Sequence, residues 1–368
     1  MHVLAAIAGC ALLIFALADA FDTIVLARRA ERIFGVTAFF YAVTWKTFMF
    51  FGRRIHRRSL RERFLSVYGP LSLLLLLAIW AMSIIVSFTL LQWAAGLQTK
   101  NAPMGFAYDL YFCGAALFTV SVGQPEGPVS KFLFVIEAGL GFSLLALVIG
   151  YLPVLYQSFA DREQHISMLD ARAGSPPAAT ELIVRQGRHP QKLEQQLADW
   201  EEWASGVLES HLSYPMLAYF RSQHENQSWL SAMVTILDAS ALAQLCTDGD
   251  LQHQAQLTFA MCRHTLADMV SVFRLSRPAE QTDRLPREEL QHVRDAISES
   301  ALNAERLSEK ELAELRRLYE PFAASLSQRF LMALPGWLPI QTQRDNWLRS
   351  SWDRHAAPYS VSDPFEKG

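Results

Sequence analysis

At 368 residues the chain has room for two or three domains, but 51% hydrophobic content beside only 19% charge excludes an ordinary soluble protein. The charge is divided: residues 1–158 carry 12 Lys/Arg against 7 Asp/Glu, a net of +5, and residues 159–368 carry 21 against 29, a net of -8. Lipid is expected around the first part and water around the second, while the overall charge of -3 gives no reason to expect nucleic acid as a partner. Cys10, Cys113, Cys246 and Cys262 are too scattered for a disulfide framework, and no Cys/His spacing suits a metal.

A bilayer core needs about 20 apolar residues in helical form. Residues 3–18 approach that length and end in Asp19 and Asp22. They read as a retained span reaching residue 26 or 27; a secretory signal is the alternative, but it lacks a positive start. Asp19 and Asp22 are expected to pair with Arg28 and Arg29. Residues 33–51 could also cross, yet they contain Lys46 and stand between two arginine clusters. Both clusters lie on the cytoplasmic side only if this stretch does not span. It therefore reads as an interfacial helix on the inner leaflet within a basic segment, 28–66, with a fourth span as the alternative. Arg53, Arg54, Arg57, Arg58, Arg61 and Arg63 are expected to contact anionic lipid headgroups.

Pro70 to Gly96 contains no charge, and Phe132 to Phe159 contains only Glu137. Both read as transmembrane helices. Between them, Phe106 to Phe118 is apolar but too short to cross, which points to a re-entrant segment. The residues after it read Thr119-Val120-Ser121-Val122-Gly123-Gln124-Pro125.

A short helix, a Thr-Val-led segment and a following helix EAGLGFSLLALVIGYLPVLYQSF resemble the pore module of the potassium-channel superfamily over residues 68–158. The resemblance implies an all-α membrane protein. Its parts are an outer helix (68–96), a re-entrant pore helix plus filter (106–125) and an inner helix (130–159), together forming a pore module at 67–160. To these are added an extra N-terminal span (1–27) and a C-terminal cytoplasmic helical domain. It also implies a homotetramer in a cell membrane, passing a monovalent cation, K+, along Thr119, Val120, Ser121, Val122 and Gly123, with no cofactor and no catalysis. Ser121 stands where the family has its first filter glycine, Val122 where it has tyrosine and Gln124 where aspartate follows, so relaxed selectivity is expected. Glu137 is expected as a brace behind the filter. Gly139 and Gly141 fit either a hinge or close helix packing, and Gly150 with Pro153 fits either a gate or a plain bend. A non-conducting, membrane-anchored scaffold built on a degenerate pore module is the alternative function.

Beyond the inner helix, residues 161–190 read as a linker with a helix starting at Ser175-Pro176-Pro177. Residues 191–340 show helical periodicity throughout, with Trp200, Trp203 and Trp229 in the core, and 341–368 form a polar tail. No glycine-rich nucleotide motif is present, and the partner or ligand of this domain is not legible.

Overall fold

The computed structural model describes residues 2–24, 36–99, 105–120, 123–223, 226–278 and 283–340. Arg28, Arg29, Ser121, Val122 and the tail lie outside them, as does the side chain of Arg58. The described residues are helical, with no β-strand among them, and fall into two compact units, residues 1–157 and 158–368.

The first unit holds α1 (His2–Ile24), α2 (Val36–Arg54), α3 (Arg58–Ser66), α4 (Tyr68–Ala95), α5 (Phe106–Leu117) and the first part of α6 (Pro128–Ala173). Helices α1, α4 and α6 are long and apolar enough to cross a membrane. Their outward side chains, among them Ile7, Phe15, Leu74, Phe132 and Phe142, are exposed, as suits helices whose solvent is hydrocarbon. The protein is a helical membrane protein.

α1 and α4 run antiparallel, with His2 against Trp93 at one end and Asp19 against Trp80 further along. Their backbones meet closely at Gly9, where a Cβ would stand 2.9 Å from the Ser87 carbonyl oxygen. Arg28 and Arg29, the partners expected for Asp19 and Asp22, lie outside the described residues, and Asp19 has partners within them. Its carboxylate accepts hydrogen bonds from the Trp80 indole at 2.9 Å, the Thr37 hydroxyl at 2.7 Å and the Thr37 backbone N–H at 3.3 Å. It thus satisfies a free N–H in the first turn of α2 and sits at the positive end of that helix.

This anchor sets the course of α2. From Thr37 beside Asp19, its contacts move to Phe40 against Leu76 and Trp80, then to Thr44, Trp45 and Phe48 against Tyr68. Eleven residues of α2 pass twelve of α4, so the two run antiparallel for about 17 Å. The helix read from the sequence as interfacial is packed along α4.

The second unit contains the end of α6, α7 (Ala179–Gln186), α8 (Pro190–Ser213), α9 (Trp229–Cys246), α10 (Gly249–Val272), α11 (Arg287–Ile297) and α12 (Glu309–Phe330). α9 is the fourth helix long and apolar enough to cross a membrane, but 16 of its 18 residues are buried against neighbouring helices. A helix that is apolar on all sides and covered by protein is the centre of a core. Trp200, Trp203 and Trp229 are buried in that core.

The proposed linker at 161–190 is corrected. Ile166, Leu169 and Ala173 recur at helical spacing on α6 and are buried, as are Leu182 and Ile183 of α7. α7 starts at Ala179 rather than Ser175, and the Thr180 hydroxyl and N–H both donate to the Trp337 carbonyl. Arg162 joins α6 to this core: it donates to the carbonyls of Leu217 and Phe220, both at 2.9 Å, and to Nε2 of His211 at 3.2 Å. Nδ1–H of His211 in turn donates to the Val207 carbonyl at 2.7 Å, which fixes a neutral tautomer.

Burial, reinforced by the neighbouring Arg162 charge, pushes His211 down to about 3 from an ordinary 6.5. Between those values the unfolded chain binds a proton that the folded chain refuses, so this contribution is complete above 6.5 and fades as pH falls. The loss is roughly 1.4 kcal/mol per pH unit. His211→Gln is expected to flatten that slope. Denaturant unfolding of the full chain in detergent at about pH 7, 6 and 5 checks it, and equal slopes for both proteins would refute it.

Candidate ion-pathway site

The segment between α4 and α6 leaves and returns to one place. Beyond α4, the Glu126 N–H donates to the Gln98 carbonyl at 2.8 Å, and Thr99 bridges Pro125. Gln92 near the end of α4 donates to the Ser130 carbonyl at the start of α6 at 3.0 Å. Inside this closed loop, α5 starts with Phe106 edge-on to Trp93 and runs back along α4. Phe112, Cys113 and Leu117 pack into a cluster with Ile84, Ile85 and Phe88. At 12 residues α5 is about 18 Å long, short of the roughly 30 Å a span needs.

The end of α5 is sealed by backbone. Phe118 closes the last turn, the Thr119 N–H donates to the Ala116 carbonyl at 3.0 Å, and the Val120 N–H donates to the Ala115 carbonyl at 2.7 Å. This paired arrangement is a Schellman motif, whose key residue takes a left-handed conformation and is usually glycine. Here it is Thr119, at φ 58°. A β-branched residue in that region is strained by about 1–2 kcal/mol. Thr119, Val120 and Gly123 are exposed, Gly123 with φ 135°, whereas Ser121 and Val122 lie outside the described residues.

The glycines of α6 separate by face. A Cβ at Gly141 would stand 1.9 Å from the Leu117 carbonyl oxygen, so the two helices touch backbone to backbone there. At Gly139 and Gly150 a Cβ would meet nothing within 4 Å. At about 100° per residue, Gly139, Ser143, Ala146 and Gly150 all project within roughly 40° of the direction opposite Gly141. All four are exposed, and the Ser143 hydroxyl donates back to the Gly139 carbonyl at 2.8 Å. Pro153 lies inside α6, which continues through it.

Glu137, one turn before Gly141, is fully buried, with Cys113 of α5 as the side chain beside its carboxyl group. No bond joins it to a described residue of the segment after α5, where a brace was expected. Sequence reasoning missed three polar side chains that shape this region: Gln92, the Tyr108 hydroxyl that accepts from Thr99 at 3.0 Å, and Asp109, buried in the first turn of α5. Their acidic, amide and phenolic character next to apolar runs was the available signal.

Comparison with family models, with curated proteins and with solved structures finds no match to this chain.

The two glycine environments make opposite predictions. Gly141→Ala forces α6 away from Leu117 and is expected to destabilise by about 1–3 kcal/mol. Gly139→Ala and Gly150→Ala meet open space on a helix and are expected to leave stability unchanged or raise it by up to about 1 kcal/mol. Thermal unfolding of the three variants in detergent reads the order directly.

Proposed function

We propose that this chain is one subunit of a homotetrameric, potassium-channel-like cation channel, in which the segment after α5 faces the symmetry axis. The observation that carries the reading is the closed loop with a half-length helix inside it. Buried backbone that enters a membrane and turns back is tolerated where protein or water surrounds it, and the segment from Thr119 to Gly123 requires such surroundings. Four copies around an axis supply them, and the small-residue face of α6 leaves room for water and a monovalent cation.

Thr119, Val120, Ser121, Val122 and Gly123 form the narrow part in this reading, and K+ is the expected permeant ion with relaxed selectivity. The acidic second unit lies in the cytoplasm of a cell, and α6 carries a change in that unit toward the pore without an intervening flexible linker. Glu137, buried beside Cys113 of α5, is the expected brace in this scheme.

One observation favours a second reading. The Thr-Val pair closes α5 as a helix cap, a use of these residues that needs no ion, so a non-conducting scaffold would also retain it.

Cation flux from liposomes reconstituted with the full chain separates the two. The channel reading predicts flux that barium reduces, a modest preference for K+ over Na+ by reversal potential, and a stronger preference in Ser121→Gly. Absence of flux from correctly inserted, tetrameric protein supports the scaffold, and strict K+ selectivity in the wild type refutes the relaxed filter.

A further inference from the structure

α2 and α3 meet at a corner where cations and apolar groups are exposed together. Arg53 and Arg54 close α2, and Arg57 precedes α3. All three are exposed, and none forms an ion pair among the described residues. Arg61, one turn into α3, is half-buried; its Nε is shut off from solvent with no acceptor among the described residues. At the same corner Phe50 and Phe51 are each 51% exposed, and the Arg54 guanidinium lies 3.8 Å from the Phe50 ring centroid.

No single aqueous partner suits both kinds of group. A free phosphate would answer the guanidiniums and leave two phenyl rings wet, and a zwitterionic lipid would cover the rings without supplying net negative charge. An anionic phospholipid does both, its phosphate against the arginines and its acyl chains over the rings. The position agrees: α2 passes along α4 as far as Tyr68, the first residue of that apolar helix, so the arginines lie just beyond its end.

We infer that the α2–α3 corner is a binding site for an anionic glycerophospholipid, which bears on the first residue of α4. The link is aromatic: Phe48 stacks on Phe64 of α3 with centroids 5.0 Å apart and meets Tyr68 edge-on at 4.9 Å. A lipid that orders α3 therefore orders the start of α4. The inference rests on the chain lying in a membrane and not on ion conduction, so a protein that fails to conduct leaves it standing.

The test is native mass spectrometry of the detergent-solubilised full chain with added dioleoylphosphatidylglycerol or dioleoylphosphatidylcholine. Wild type is expected to retain the phosphatidylglycerol preferentially, to lose it at high salt, and to keep it against excess glycerol phosphate. A variant with Arg54→Gln, Arg57→Gln and Arg61→Gln is expected to retain about tenfold less or lower. Equal retention of the two lipids by wild type overturns the site without recourse to any variant. Displacement by glycerol phosphate overturns the lipid in favour of a free anion, and undiminished retention by a folded triple variant overturns the role of the arginines.

Discussion

The contact on which the membrane unit depends is the approach of α6 to the end of α5, Gly141 against the Leu117 carbonyl. Only a residue without a side chain fits there. This one contact fixes the rotation of α6 about its own axis and stops α5 halfway along α4. It also turns Gly139, Ser143, Ala146 and Gly150 to the opposite side, where the single chain covers none of them. A small, uncovered face on the innermost part of a membrane helix is the feature that the channel reading uses.

Around that contact, buried polar groups hold the remaining elements in register. Asp19 ties α1, α2 and α4 together through Trp80 and Thr37, and Gln92 ties α4 to the start of α6. In hydrocarbon such groups are stable only when satisfied, which makes each a strong constraint on where its helix can lie. Arg162 plays the same part in the second unit, with four acceptors around one guanidinium, the Glu163 carboxylate among them, and a histidine held neutral beside it. Glu137 of α6 is fully buried with Cys113 of α5 as its neighbour.

The three spans were legible because long uncharged runs admit few other structures, and the helical second unit was legible from its periodicity. The course of α2 was not. Its position is set by Asp19, a residue eighteen positions before Thr37. Gly174, Gly187 and Pro190, in the DARAG and QGRHP stretches, made residues 161–190 look like a linker and outweighed the buried spacing of Ile166, Leu169 and Ala173. Within the candidate site, three glycines on one helix were equivalent in sequence, and only the packing of α5 distinguishes Gly141 from Gly139 and Gly150. Nothing local predicts Thr119 as the left-handed residue of a helix cap, since its β-branched side chain opposes that conformation.

The central claim is that the face of α6 opposite Gly141 borders water rather than lipid. Its most direct test is the reactivity of Ser143→Cys, in liposome-reconstituted protein, toward a small positively charged thiol reagent applied to both sides. Native Cys10, exposed on α1, serves as the comparison thiol. The account predicts that the thiol at position 143 reacts many times faster than Cys10; a thiol as inert as Cys10 would place that face in hydrocarbon and contradict it.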